Sequence, residues 1–357
     1  MRKKLLILLP VCVLLLAAVW ALAAGDAADP LATLSYLTGT FTDTVDQRVD
    51  QRLNDADLSG SGGTVSAASV WMETRLKGAD DAVCSTGSSI LLLAGEAYVS
   101  YPSPGAVVDV TAGTVVPSGT ALVANHRYMA AEDTAAHFIV TSKTAVLDYQ
   151  GSVEFSYSSA EDYNAIAAAL KELHLFRGTL TGYGQGFDLE AAPTRLQALI
   201  MFIRVLGEEQ QALAWTGTTP FRDVAQGTEA EKYVGYAYER GYTNGYSPTE
   251  FRPAGAVNAS QYTEFVLRAM GYSSAANTNL ADVFDRAMNA GVLTAGECTM
   301  LQRDRFLRAE LVYISYYALD ALLPNSSRTL GDQLMDAGVF TAGEWDSARG
   351  LVTSWRL

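Results

Sequence analysis

The sequence predicts an α+β, multidomain chain in which a mostly-β sandwich or roll precedes an all-α set of helical repeats. Three observations predict it. Residues 64–157 hold short apolar or alternating runs, separated at intervals of about 10–15 residues by Gly, Pro, Ser and Asp, as in a sandwich, roll or barrel. At Ser158 the hydrophobic period changes, and Tyr163, Ile166, Leu170 and Leu173 follow at helical spacing. Finally, residues 290–297, Ala-Gly-Val-Leu-Thr-Ala-Gly-Glu, return as residues 337–344, Ala-Gly-Val-Phe-Thr-Ala-Gly-Glu, with one difference and each after a short predicted helix, Leu280 to Asn289 and Leu330 to Asp336.

From the N-terminus, Arg2, Lys3 and Lys4 precede an uncharged run from Leu5 to Ala24, with small residues at Ala21 and Ala23. This pattern is that of a secretory signal peptide over residues 1–24, and an uncleaved membrane anchor is the competing reading. Residues 25–63 read as a short amphipathic helix (Val45, Val49 and Leu53 at i, i+4) and a Gly/Ser/Asp linker. Asp55, Asp57 and Ser59 resemble the start of a calcium loop, but its twelfth position is Ser66 rather than a bidentate Glu, so the linker reading is preferred. The β-rich domain, 64–157, is expected to use Ile90–Leu93, Ala106–Val110, Leu122–Ala124, Phe138–Val140 and Val146–Tyr149 as strands, with Trp71–Lys77 a strand or a short helix. Helical units follow at 158–215, 216–274 and 275–357, the last with a C-terminal helical extension.

Hydrophobic residues make up 49% of the 357, enough for a sizeable core and too many for a disordered chain. A net charge of −14 argues against nucleic acid, whose phosphates need clustered Lys and Arg. After signal removal no second membrane span follows, and two cysteines, Cys84 and Cys298, remain in different predicted domains, too few for a disulfide framework. His126 and His137 are the candidates to share a metal with Glu132 or Asp133, but no zinc-type spacing is present, and no nucleotide-binding, nucleophile-elbow or other cofactor motif occurs. The neighbouring carboxylates Glu132-Asp133 and Glu161-Asp162 diverge in direction, which argues against an acid/base pair.

Each helical unit is a helix, a Gly-containing loop and a second helix. Gly182-Tyr183 and Phe187 precede Thr194-Arg195-Leu196-Gln197, and Gly245-Tyr246 and Phe251 precede Asn258-Ala259-Ser260-Gln261. Leu307-Arg308-Ala309-Glu310 opens the corresponding helix of the third unit. Thr194 and Asn258 are good N-caps with Gln at the capping-box position, whereas Leu307 has no side-chain acceptor. Ser159 is the expected cap of the first helix.

The second unit, from Phe221-Arg222-Asp223-Val224 through Asn244-Gly245-Tyr246 to Phe251-Arg252-Pro253, resembles the S-layer homology (SLH) domain, with looser resemblance over Tyr163–Leu206 and Asn279–Leu319. The resemblance implies SLH-type pseudo-three-fold helical repeats whose grooves bind a secondary cell-wall polysaccharide, often an anionic, pyruvylated one. Its Thr-Arg-Ala-Glu arginine maps to Arg195 and Arg308, and its loop to Asp223, Gly245 and Tyr246. Ala259 replaces the arginine in the second unit. The family's Trp at the start of the first helix is absent, with Tyr233, one turn on, as a candidate stacking face. Tyr313, Tyr316, Tyr317 and Phe265 read as core. The expectation is a non-catalytic, secreted surface protein attached to the cell wall, with an S-layer or a second copy of itself as a further partner. The alternative is an adhesive protein whose carbohydrate site lies on the β-rich domain.

Overall fold

The computed structural model describes residues 70–181, 184–274, 279–354 and 356–357. The expected signal peptide, the helix around Val45, Val49 and Leu53 and the linker at 55–63 lie outside these residues. Among the described residues no helix is long and apolar enough to cross a membrane.

Among the described residues ten strands come first: β1 (Met72–Lys77), β2 (Asp81–Cys84), β3 (Ser89–Ala94), β4 (Ala97–Ser100), β5 (Val107–Asp109), β6 (Thr114–Val116), β7 (Arg127–Ala130), β8 (Ala136–Val140), β9 (Thr144–Gln150) and β10 (Val153–Ser156). They form two antiparallel sheets, ordered β1-β9-β3-β7-β5-β6 and β10-β2-β8-β4. The inner faces share one core, with Leu76, Ile90, Leu92, Tyr128 and Leu147 from the first sheet against Ala82, Cys84, Val99 and Phe138 from the second. The Tyr128 and Phe138 rings meet across the gap at 6.4 Å.

Trp71–Lys77 thus contributes a strand rather than a helix. Leu122–Ala124, expected as a strand, is instead a loop. It meets the sheets through single bonds rather than a ladder, the bridge of Ala121 to Tyr98, the Leu122 N–H to Ala97 and the Val123 N–H to the Tyr128 hydroxyl, then turns at Asn125 with φ 64°. Three apolar residues before a left-handed Asn are too few to extend a ladder.

Burial decides the chemistry of the cysteines. Both are free and buried. Burial, and then the nearby Asp81, pushes the Cys84 thiol up to about 12, while burial and then Glu297 and Asp285 push Cys298 up to about 11. The thiolate is the reactive form, so alkylation by a maleimide at pH 8 is expected to be at least about a hundred-fold slower than for a free thiol. Mass spectrometry should find neither site labelled before unfolding and both after it. Prompt labelling of the native protein would contradict the burial.

Ten helices follow among the described residues: α1 (Tyr163–Glu172), α2 (Arg195–Val205), α3 (Glu209–Leu213), α4 (Glu229–Glu239), α5 (Ala259–Ala269), α6 (Val283–Asn289), α7 (Ala295–Arg303), α8 (Arg308–Ala318), α9 (Leu330–Asp336) and α10 (Ala342–Leu351). A small hairpin, β11 (Thr179–Thr181) and β12 (Gly184–Gly186), lies between α1 and α2. The expected cap at Ser159 is displaced to Asp162, whose carboxylate accepts from the Ala165 N–H at 3.0 Å. Thr194 with Gln197 and Asn258 with Gln261 form complete capping boxes. Leu307 shows half of one, its N–H donating to Glu310 at 2.6 Å.

The recurrent eight-residue segment has one physical meaning. In both copies the helix ends in a left-handed glycine, Gly291 or Gly338, and the next helix opens in a capping box, Thr294 with Glu297 or Thr341 with Glu344. Glycine also takes the left-handed position after α2, α4 and α5, at Gly207, Gly241 and Gly271. After α1 that position is filled by His174 at φ 61°, with the Leu175 N–H returning to the Leu170 carbonyl. A Cβ is unfavourable there. His174→Gly is therefore expected to stabilise the chain by about 0.5–1 kcal/mol in a denaturant titration, despite losing an exposed 3.2 Å contact to Glu344.

Packing follows a pattern. The helices α2, α5 and α8 touch one another pairwise. Each also carries a further helix: α4 lies on α2, α6 on α5 and α1 on α8, with α10 added on α1. Backbone bonds link the starts of α2 and α8 to loops remote in sequence. The Arg195 N–H donates to Gly255 at 2.7 Å, and the Arg308 N–H to Ala191 at 2.9 Å. The buried side chains of these helices form a single apolar core that includes Tyr313, Tyr316, Tyr317 and Phe265. The β region meets the helices through β1 on α1 and through Lys143, in the β8–β9 turn, which pairs with Asp304 at 2.9 Å and with Glu310.

Candidate ligand groove between the first two helical units

The capping box at Thr194 places Arg195 at the first helical residue of α2, pointing toward the loop that precedes α5. Its guanidinium lies over the Phe251 ring at 5.0 Å and the Phe265 ring at 5.6 Å, and Nη2 donates to the Gly245 carbonyl at 3.3 Å. The residue is 9% exposed, and its Nε is buried with no hydrogen-bond partner in the protein. Among the described residues no carboxylate pairs with it. Burial, then repulsion from Arg268, holds its pKa below the ordinary guanidinium value. A buried cation lacking a counter-charge is costly, and an incoming anion relieves that cost.

The loop facing Arg195 is built around Gly245, at φ 77°. A Cβ there would fall 2.2 Å from the Phe221 ring, so only glycine lets the loop sit on that ring. Asp223 fastens the far end, its carboxylate accepting from the Phe251 N–H at 2.9 Å and the Arg252 N–H at 2.7 Å. Burial raises that carboxyl, but the two amides outweigh it and hold it below the ordinary value. Asp223 therefore positions the loop through these two bonds. Tyr246 is 58% exposed, with the Arg252 guanidinium 3.4 Å from its ring centroid on one side.

Arg195, Gly245 and Tyr246 line one cavity of about 260 Å³ with Gln261, Glu264 and Arg268. Glu264 is buried and accepts from Arg268 and Arg286, both at 2.8 Å, and from Ser273 at 2.7 Å. Its charge is thus compensated within the protein, leaving the groove locally cationic in an acidic chain.

Arg308 repeats part of this arrangement. It is 7% exposed, lies over Phe176 at 5.6 Å and donates from Nε to the Phe187 carbonyl at 3.2 Å. The matching Gly182-Tyr183 turn lies outside the described residues. In the second unit Ala259 offers no guanidinium. The candidate stacking face at Tyr233 is not available: the side chain is 3% exposed and its hydroxyl donates to Glu209 at 2.8 Å. Burial and then Glu209 push that hydroxyl up to about 12. Tyr233 falls on the side of α4 that packs on α3, away from the groove.

Sequence reasoning missed Trp215. Its ring lies flat on α4 where Gly235 leaves room, since a Cβ there would come within 2.1 Å, and its indole N–H donates to Glu239 at 2.7 Å. The small residue opposite a lone Trp, twenty positions along, is a signal visible only after folding. His126 and His137 each pair with a different carboxylate, Asp109 and Asp81, both at 2.7 Å. No group of three or more potential metal ligands gathers among the described residues.

The model of the S-layer homology domain family matches residues 220–258, which contain Phe221, Asp223, Gly245, Tyr246 and the helix α4 between them. A protein of Thermoanaerobacter kivui described as "Cell surface protein" is 27% identical over 168 residues. The match takes in 44% of this chain and 22% of that protein, so the chain spans about a fifth of the length of the curated relative it matches. The loop that faces Arg195 thus lies within a segment that matches the S-layer homology domain.

Proposed function

We propose that this chain is a non-catalytic, secreted anchoring protein whose helical units hold a secondary cell-wall polysaccharide. In this reading residues 158–215, 216–274 and 275–357 are three SLH-type units in a pseudo-three-fold bundle. The mutual packing of α2, α5 and α8, and the way each carries another unit's first helix, support that arrangement. The observation that carries the functional reading is Arg195: a buried guanidinium with an unsatisfied N–H at an open groove. Such a group suits a carboxylate-bearing sugar, which would complete a charge-assisted fork while a sugar ring rests on Tyr246.

The test is co-sedimentation of the full chain with purified cell walls, before and after removal of the secondary polysaccharide. Arg195→Ala should weaken pelleting about ten-fold or more, because a charge-assisted hydrogen bond contributes about 1.5–3 kcal/mol. Arg308→Ala, made separately, reports whether the second arginine shares the load. Failure of the wild-type chain to pellet with polymer-bearing walls would end the anchoring reading.

A second reading, an adhesive carbohydrate site on the β region, is supported by one feature. Phe155 and Tyr157 on and beside the edge strand β10 lie nearly parallel, 6.4 Å apart, and Tyr157 is 68% exposed. Tyr157→Ala should then reduce adhesion to glycan without affecting wall pelleting.

A further inference from the structure

A further cavity, of about 540 Å³, lies where the β8–β9 turn meets α1 and α7. Its walls include Ser142, Lys143, Glu161, Thr299, Met300 and Asp304. Its position follows that of the Arg195 groove, one unit further on. The first groove is bounded by Gln261, third residue of α5, and by Leu280 ahead of α6. The second cavity is bounded by Lys143, which reaches Glu310, third residue of α8, and by Ala160 and Glu161 ahead of α1. What differs is the lining. The helix α7 stands where the second unit has its Gly-Tyr turn, and the β region closes one side.

The chemistry differs too. Lys143 is already paired with Asp304 and Glu310, and Arg303 at the rim with Asp304 at 2.7 Å. No cation here resembles Arg195, so an anion would find no unpaired partner. An amine would meet carboxylates already engaged: Asp304 as above, and Glu161 by the Ser354 hydroxyl at 2.7 Å. The Ser142 and Thr299 hydroxyls donate to the Thr144 and Ala295 carbonyls at 2.6 and 2.9 Å, so what remains is a set of hydroxyl and carboxylate lone pairs around an apolar wall, acceptors that suit the O–H donors of an uncharged, hydroxyl-rich ligand.

We propose that this junction cavity is a second saccharide site, one that takes an uncharged sugar segment and is built jointly by the β region and the helical units. It rests on the anchoring reading only for the ligand class, sugar; the two sites fail independently. A chain holding both would grip a wall polymer at an acidic residue and at a neutral one.

The experiment is a titration of the full chain with chitotetraose, an uncharged β-linked amino-sugar tetramer, followed by calorimetry. Thr299 is exposed on α7, so Thr299→Trp should occlude the cavity and weaken binding about ten-fold or more, the worth of one or two hydrogen bonds plus the lost contact. Ala160→Trp is the second variant, used if Thr299→Trp melts at a much lower temperature. Arg195→Ala should leave this binding unchanged while reducing wall pelleting. Absence of binding by the wild type, or binding lost in Arg195→Ala yet intact in both tryptophan variants, overturns the proposal without touching the anchoring reading.

Discussion

Replacing Lys143 by methionine should lower the stability of the chain by about 3 kcal/mol, read as a shifted midpoint in guanidinium at unchanged slope. The reason is what the change leaves behind. Glu310 is 1% exposed, and its only cation among the described residues is Lys143. Methionine keeps the stem of the side chain and removes the charge, so an uncompensated carboxylate stays buried at the start of α8. Lys143 also pairs with Asp304, whose carboxyl is lowered to about 2, first by the Arg303 hydrogen bond and then, against burial, by Lys143. A carboxyl lowered on folding stabilises the native state above its unfolded pKa of about 4, and that contribution is lost as pH falls from about 4 through about 2. Wild-type stability should therefore drop over that window by about 1–2 kcal/mol from this group, after allowing for the exposure of Arg303. The drop should be smaller in Lys143→Met. An unshifted midpoint in that variant would mean that the β region and the helices are held by apolar contact alone.

The second large effect is expected at Gly245. Gly245→Ala should cost about 2–4 kcal/mol, combining a left-handed residue bearing a Cβ with a collision against Phe221. It should also remove wall binding, because the carbonyl that receives the Arg195 Nη2 belongs to this residue. The comparison with Arg195→Ala separates the two consequences. The arginine variant should pellet poorly yet melt near wild type, whereas the glycine variant should fail in both. A Gly245→Ala protein with native stability would mean that the loop can lie off the Phe221 ring.

The local chemistry of the helices was legible in residue order. Thr194 with Gln197, Asn258 with Gln261 and the two copies of the Gly-Val-x-Thr-Ala-Gly-Glu turn announce caps because capping involves groups only three residues apart. The loop residues Asp223, Gly245 and Tyr246 were legible for the same reason, as a motif of fixed spacing. Several strands were not. β4 and β6 are three or four residues long at sheet edges, and such runs acquire their pairing from partners remote in sequence, as when Tyr98 meets Ile139. Ser159 lost its cap to Asp162, a second acceptor within one turn of it.

By itself, then, the sequence determined the class of the chain: a β-rich region followed by capped helical units, one of them with an SLH loop. Those features depend on periodicity and on contacts within a turn. Only the tertiary structure decided which groups meet across the units. It buried Tyr233 against Glu209 and, among the described residues, left Arg195 without a counter-charge beside Gly245. It also brought Lys143 from the β region to Glu310, 167 positions away. Each of these depends on how buried faces pack, and a charge's partner across such a distance is set by that packing rather than by any local pattern of residues.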